Sequence, residues 1–228
     1  MEGTGKVLLT LFSMLVIGYI GVEIDSIIVI LCAFIPLIVL IAYNRETAKG
    51  VVEDTIEQFK NTLDKNEFKA TAQHIGDNQL CGIAIDEINN KIGILRRIEV
   101  KKEFDLKVLP FSSVFESEVS QDGETLIKTS RGSQIGGALV GGALMGGTGA
   151  IIGGLSGAKT SSTVVKKIDL NITIDNLSNP IETINFLDHP TPLKKDSPTY
   201  SYTLQEAEKW HKMFSIIIKR NESNKETV

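Results

Sequence analysis

Hydrophobic and polar positions change their spacing several times along the chain, and each change marks an element. Residues 7–22 (VLLTLFSMLVIGYIGV) are 16 positions with no ionisable side chain except Tyr19. Glu23, Ile24 and Asp25 interrupt, and residues 26–43 (SIIVILCAFIPLIVLIAY) add 18 uncharged positions. A helix rises about 1.5 Å per residue and needs about 20 residues to cross a hydrocarbon core of about 30 Å. Each run is at the short end of that range, so the pattern predicts a transmembrane hairpin over residues 1–44. Neither run keeps the polar face of a soluble core helix, and no small-x-small cleavage site follows to mark a signal peptide. Pro36 predicts a kink.

From residue 45 to 69 the spacing becomes helical. Val51, Val52, Thr55, Ile56, Phe59 and Leu63 recur at steps of three and four, opposite Glu53, Asp54, Glu57, Lys60 and Asp64. This predicts an amphipathic connecting helix, and its mixed polar face suits packing on a domain better than lying on lipid. Beyond residue 70 the period switches to alternation. Strands are predicted over 80–86, 91–95, 104–109, 114–120, 124–130, 163–175 and 181–187, with turns at residues 87–90, 121–123 and 176–180. A closing helix is predicted over 203–220, capped by Thr203 with Glu206 three residues on. Its apolar stripe is Leu204, Ala207, Trp210, Met213, Phe214 and Ile217.

The fold class expected is α+β: a membrane hairpin, then an antiparallel β-sandwich or barrel over 70–220 closed by a C-terminal helix, then a disordered tail at 221–228. The segment VLPFSSVFESEV (residues 108–119) and the closing EAEKWHKMFSIIIKR resemble bacterial, membrane-tethered, prophage-type proteins with a pleckstrin-homology-like (PH-like) domain. The resemblance implies that fold, and an immunity- or prophage-type role. The order of parts also resembles two-span anti-phage effectors that carry a small β-barrel, which implies a ligand-sensing, membrane-disrupting effector as the alternative.

One segment breaks the alternation. Residues 132–157 (GSQIGGALVGGALMGGTGAIIGGLSG) hold 11 of the chain's 20 glycines. Within the insertion at 132–160, Gly137/Gly141, Gly142/Gly146, Gly149/Gly153 and Gly153/Gly157 stand four apart, the small-xxx-small spacing that lets membrane helices approach closely. Three readings compete: a membrane-inserted glycine zipper that makes the protein a homo-oligomer, an insertion packed on the protein, and a solvated loop. The zipper reading favours a re-entrant helical hairpin bent near residues 146–149, its ends rejoining one strand hairpin.

Charge places these parts. Lys6, Arg45 and Lys49 flank the apolar runs and the turn between holds only acids, so both termini and the β domain are expected on the cytoplasmic side of the cell (inner) membrane, in a multi-pass arrangement. The net charge of −4 gives no basic excess for nucleic acid. Arg96, Arg97, Lys101 and Lys102 surround Ile98 and Val100. They are either an anionic-lipid contact or a solvated hairpin tip neutralised by Glu99 and Glu103. Lys166, Lys167, Lys194 and Lys195 are equally two-sided.

Other candidates carry no chemistry. The stretch GGLSGAKT (residues 153–160) misplaces the lysine of a phosphate loop, and Gly147-Thr148-Gly149 follows no strand. His74, His189 and His211 are scattered, so no metal site is expected, and His211 reads as a helix residue at the core's edge. Asp86 and Glu87 read as solvated turn residues. Ser112 and Ser113 lack a glycine elbow. Cys32 and Cys81 form no disulfide framework. No catalytic constellation and no cofactor are expected. The partners expected are the lipid bilayer, a second copy of the chain, and a protein or small ligand that the sequence leaves unspecified.

Overall fold

A computed structural model describes residues 2–23, 34–132 and 163–223. The chain divides into two compact units, residues 1–57 and 58–228.

The first unit holds helix α1 (Glu2–Glu23) and most of helix α2 (Ile35–Lys65). Large apolar side chains on both stay exposed, among them Leu9, Phe12, Leu15 and Tyr19 on α1 and Ile35, Ile38 and Val39 on α2. Among the described residues no helix is long and apolar enough to cross a membrane. The second apolar run is described only from Phe34, so the expected hairpin turn and the start of the second span lie outside the described residues.

The second unit is a two-sheet sandwich. The first sheet is an antiparallel meander of β1 (Ala72–Ile75), β2 (Cys81–Asp86), β3 (Lys91–Arg96) and β4 (Asp105–Pro110). The second has the order β6-β5-β7-β8, from β5 (Val114–Gln121), β6 (Glu124–Ser130), β7 (Val164–Ile174) and β8 (Ile181–Lys194). Helix α3 (Pro198–Ser223) closes the sandwich. Alternate residues of both sheets face inward, including Ile83, Ile85, Ile92 and Ile94 from the first and Ile168, Leu170, Ile172 and Ile174 from the second. Trp210, Phe214, Ile217 and Ile218 of α3 complete this core.

The predicted turns form as their residues require. Asp122 (φ +49°) and Gly123 (φ +86°) make the two-residue β5–β6 hairpin, and Asn90 (φ +52°) closes the β2–β3 turn. Three expectations shift. Strand β1 was not read, because Ala72-Gln73-His74-Ile75 is short and half polar. Helix α3 starts at Pro198, not after Thr203: the Ser197 hydroxyl accepts the Tyr200 N–H at 3.3 Å, and proline suits the first helical position. Strand β8 runs past Pro190 and Pro192, which sit on a sheet edge where the register slips from Lys167↔Asp188 to Val165↔Leu193.

The flanks of the glycine segment need a larger correction. Strands β6 and β7 are not a hairpin, because β5 lies between them and is antiparallel to both. The Arg131 N–H donates to the Phe115 carbonyl at the start of β5 (2.9 Å). Thr163 lies beyond the other end, its carbonyl accepting from the Lys195 N–H (3.0 Å). Thr163 stands five residues past the Gln121↔Ile168 pair, so the flanks are separated by more than the length of the eight-residue β5, about 27 Å. Residues 133–162 themselves, with Gly137, Gly141, Gly142, Gly146, Gly149, Gly153 and Gly157, lie outside the described residues, as does the tail from 224.

Candidate functional site

The outer face of the first sheet is built to receive a helix. Residues that point away from the main core there are Gly82, Ala84, Gly93 and Leu95, small or aliphatic throughout. The last turns of α2 lay Phe59 and Leu63, four residues apart, onto this face, and Phe68 and Phe104 close its margins. A Cβ at Gly82 would overlap the Phe59 ring, and one at Gly93 would stand 3.0 Å from Leu106 and 3.3 Å from Phe68. Glycine at these positions is what lets the rings reach the sheet. Phe59 and Phe104 meet edge to face at 5.4 Å.

Arg97 fastens the margin of this face. It is 6% exposed. Its guanidinium donates to the Gln79 carbonyl at 2.7 Å, the Gln58 side-chain carbonyl at 2.8 Å and the Lys102 carbonyl at 3.4 Å. It also stacks over the Phe104 ring at 4.3 Å. The start of the domain, the β1–β2 turn and the β3–β4 loop thus share one side chain.

Arg96 has a different task. Together with Lys107 it reaches Glu182, at 2.8 and 2.9 Å, so β3 and β4 of one sheet grip β8 of the other. Burial works against the Glu182 charge, but the hydrogen bonds from Lys107 and Arg96 outweigh it and hold the carboxyl below its ordinary range. Of the four cations grouped by sequence, Lys101 and Lys102 are exposed and lie outside the sheet junction. Arg97 is buried, and Arg96 is committed to the sheet junction.

The outer face of the second sheet is polar and closed on itself. Asn171 donates to the Ser120 hydroxyl (3.2 Å) and accepts from Thr183 (2.8 Å). Lys167 pairs with Asp169 (3.0 Å), which also accepts from Asn185. Lys128 pairs with Glu116 at 2.7 Å, and Thr125 donates to Glu118.

One histidine, His211, is buried inside the sandwich, and a second, His74, is half-buried. His211 is 4% exposed, so it belongs to the core and not to its edge. Its Nδ1 lies 3.0 Å from the Ser117 hydroxyl and its Nε2 3.2 Å from that of Thr129. Burial lowers its pKa to about 4. His74 stacks on Phe186 at 3.9 Å and is also lowered by burial to about 4. The Ser117–His211 pair has the spacing of a nucleophile and base, but Ser117 is completely buried, so no substrate reaches it. Asp86 is buried too, contrary to the solvated turn expected. Burial would raise its pKa, but hydrogen bonds from the Asn89 side chain and backbone prevail and lower it.

Among the described residues no three His, Cys, Asp or Glu side chains could hold a metal ion. A groove of about 830 Å³ opens between the end of α2 and β1, lined by Lys60, Asp64, Glu67, Phe68 and Lys69 among others. Its charges alternate in sign, which marks no ligand class. The sequence reading missed Glu182 and the seating of Phe59 on Gly82. For the latter a signal existed: glycines at 82 and 93 in otherwise β-branched strands imply a close approach from outside.

Residues 69–188 match a family model described as glycine zipper containing PH domain. The chain is 32% identical over 225 residues to the SPbeta prophage-derived uncharacterized membrane protein YomJ of Bacillus subtilis (strain 168), covering 95% of this chain and 93% of that one. It is 30% identical over 195 residues to the Immunity protein of Bacillus phage SPbeta, covering 82% and 92%. No solved structure matches the chain.

Proposed function

We propose, from the premise that the chain belongs to the family of glycine zipper containing PH domains, that it is a membrane-anchored, non-enzymatic interaction module serving an immunity-type role. The observation that carries this reading is the pairing of a folded PH-like sandwich with N-terminal helices whose large apolar side chains stay exposed, in a relative of a prophage membrane protein. Residues 6–43 form the anchor, a two-span hairpin with both termini and the β domain on the cytoplasmic side. The relative named Immunity protein supports protection, and not chemical turnover, as the output.

Self-association runs through Gly137, Gly141, Gly142 and Gly146, where leucine would keep a partner helix at a distance. The sheet order adds a condition: the segment must join two points more than about 27 Å apart.

The test is labelling with a membrane-impermeant thiol reagent in intact cells. A cysteine at Glu23 should react and one at Lys225 should not. The reverse pattern would overturn the orientation, and loss of the protein into the soluble fraction would overturn the anchor. Crosslinked oligomers should vanish in the quadruple glycine-to-leucine variant, while unchanged crosslinking would remove the zipper.

A further inference from the structure

We infer that the outer edge of β4 docks a second copy of the chain, the two β4 strands pairing antiparallel about Leu106 to join the first sheets of two domains. A sheet edge is a template for a strand of another chain, and folds protect their edges with bulges, prolines or short strands. Three of the four edges in the sandwich carry such protection. Strand β1 has four residues, β6 meets β5 through a bulge at Val119/Ser120, and β8 runs through Pro190 and Pro192. Strand β4 pairs with β3 over six residues without a shift, and among the described residues no strand lies on its other side.

The alternation of the backbone shows what this edge offers. The Phe111 N–H donates to the Asn90 carbonyl at 2.8 Å, so Asp105, Lys107 and Leu109 bond toward β3 while Leu106 and Val108 turn their N–H and carbonyl groups outward. Pro110 is also an outward position, and with no N–H it ends the free stretch. In a new antiparallel ladder outward residues must oppose outward residues. Three registers, centred on Asp105, Leu106 or Lys107, overlay the two strands best. The first sets Asp105 against its own copy, and the third does the same to Lys107. Only the register centred on Leu106 opposes Asp105 to the copy's Lys107, once on each side of the two-fold axis. Asp105 is exposed, and Lys107, though bonded to Glu182 at 2.9 Å, is 37% exposed with donors to spare. On the other face this register sets Leu106 against its own copy. It also covers Val108, 44% exposed opposite Gly93, with the copy's Phe104. The seats of Phe59 and Leu63 over β2 and β3 leave room for both domains. They stand four strand spacings apart, about 19 Å, and a helix is about 10–12 Å across.

Disulfide trapping on the full chain with Cys32→Ala, in detergent micelles, tests the contact, Cys81 being buried. Cysteines at position 106 of the paired strands would have Cα atoms about 5.5 Å apart, inside the disulfide range of about 4.4–6.8 Å. Cysteines at position 108 would stand about 14 Å apart, four residues out of register. Under mild oxidation Leu106→Cys should form dimers severalfold faster than Val108→Cys, although Val108 is the more exposed and chance collision would favour it. Val108→Pro removes an N–H that β3 does not use, so added to Leu106→Cys it should abolish the bridge with thermal unfolding little changed. Asp105→Lys, at an exposed side chain, should slow bridging severalfold and carries the test if the proline disturbs folding. The bridge should persist in the quadruple glycine-to-leucine variant, so the zipper and the edge fail separately. Bridging at 106 no faster than at 108, or untouched by both Val108→Pro and Asp105→Lys, overturns the second copy as the occupant of this edge. Loss of the bridge in a folded quadruple variant overturns it as a contact of the domain itself.

Discussion

The two sheets of the sandwich share one core but solve opposite problems on their outer faces. On the first sheet that face is Gly82, Ala84, Gly93 and Leu95, unable to stand in water, and it is completed by Phe59 and Leu63 of α2. On the second it is Ser120, Asn171 and Thr183, bonded to one another across the strands, and Asp169, which accepts from Asn185. Apolar area removed from water is worth about 25 cal/mol per Å², whereas a neutral hydrogen bond open to solvent contributes about 1 kcal/mol net. The first face therefore makes the end of α2 an obligatory part of the domain. The second face stabilises locally and makes no demand on the rest of the chain. The difference explains why the second unit begins at Gln58, well inside the stretch that reads as a connecting helix.

Breaking the first face should have the largest effect. Phe59→Ala leaves a void against Gly82 and should lower stability by about 3–5 kcal/mol, and Gly82→Val, which collides with the same ring, should do comparable damage. At about 2–4 °C per kcal/mol for a protein of this size, thermal unfolding of either variant should fall by about 10 °C. A shift no larger than that of a surface mutant would mean the helix end is not seated.

The junction between the sheets comes next. Glu182→Ala leaves Arg96 and Lys107 without their partner, and since both cations keep partial access to water the loss should be about 1–3 kcal/mol. Glu182→Gln should recover part of it. Equal stability of all three proteins would remove the ion cluster from the account.

Acid should act on the shared core. His74 and His211 are neutral when folded, with pKa values lowered to about 4, against about 6.5 unfolded. Their contribution is complete above pH 6.5 and is lost as pH falls from there through 4, because the unfolded chain binds the protons first. Denaturant titrations at pH 7 and 5 should differ by about 2 kcal/mol per histidine, and His211→Gln should reduce the difference. A flat profile would contradict the burial of His211 and the partial burial of His74.

The smallest effect belongs to the second face. Asn171→Ala breaks two hydrogen bonds in a ladder that water can replace, and should lower stability by about 1 kcal/mol or less. A loss rivalling that of Phe59→Ala would erase the contrast between the faces.

How much of this is legible in the chain follows the range of each signal. Alternation at Ile168, Leu170, Ile172 and Ile174 and the Asp122-Gly123 turn act within a few residues, and these elements form as read. Ser197-Pro198 is an equally local start signal for α3, but the expected start at Thr203 made no use of it. The sheet order is not local: nothing in residues 124–175 says that β7 joins β5 and not β6. Nor does sequence distinguish Arg97 from Lys101, because burial of the one and exposure of the other depend on Gln79 and Gln58, 18 and 39 residues away.

The central structural claim is that the last turns of α2 fold as part of the sandwich. Amide hydrogen exchange on the full chain in detergent micelles tests it most directly. Residues 59–65 should exchange as slowly as β2 and β3, and Gly82→Val should release the helix end while the second sheet stays protected. Rapid exchange over residues 59–65 in the unmodified protein, with the first sheet still protected, would contradict the account.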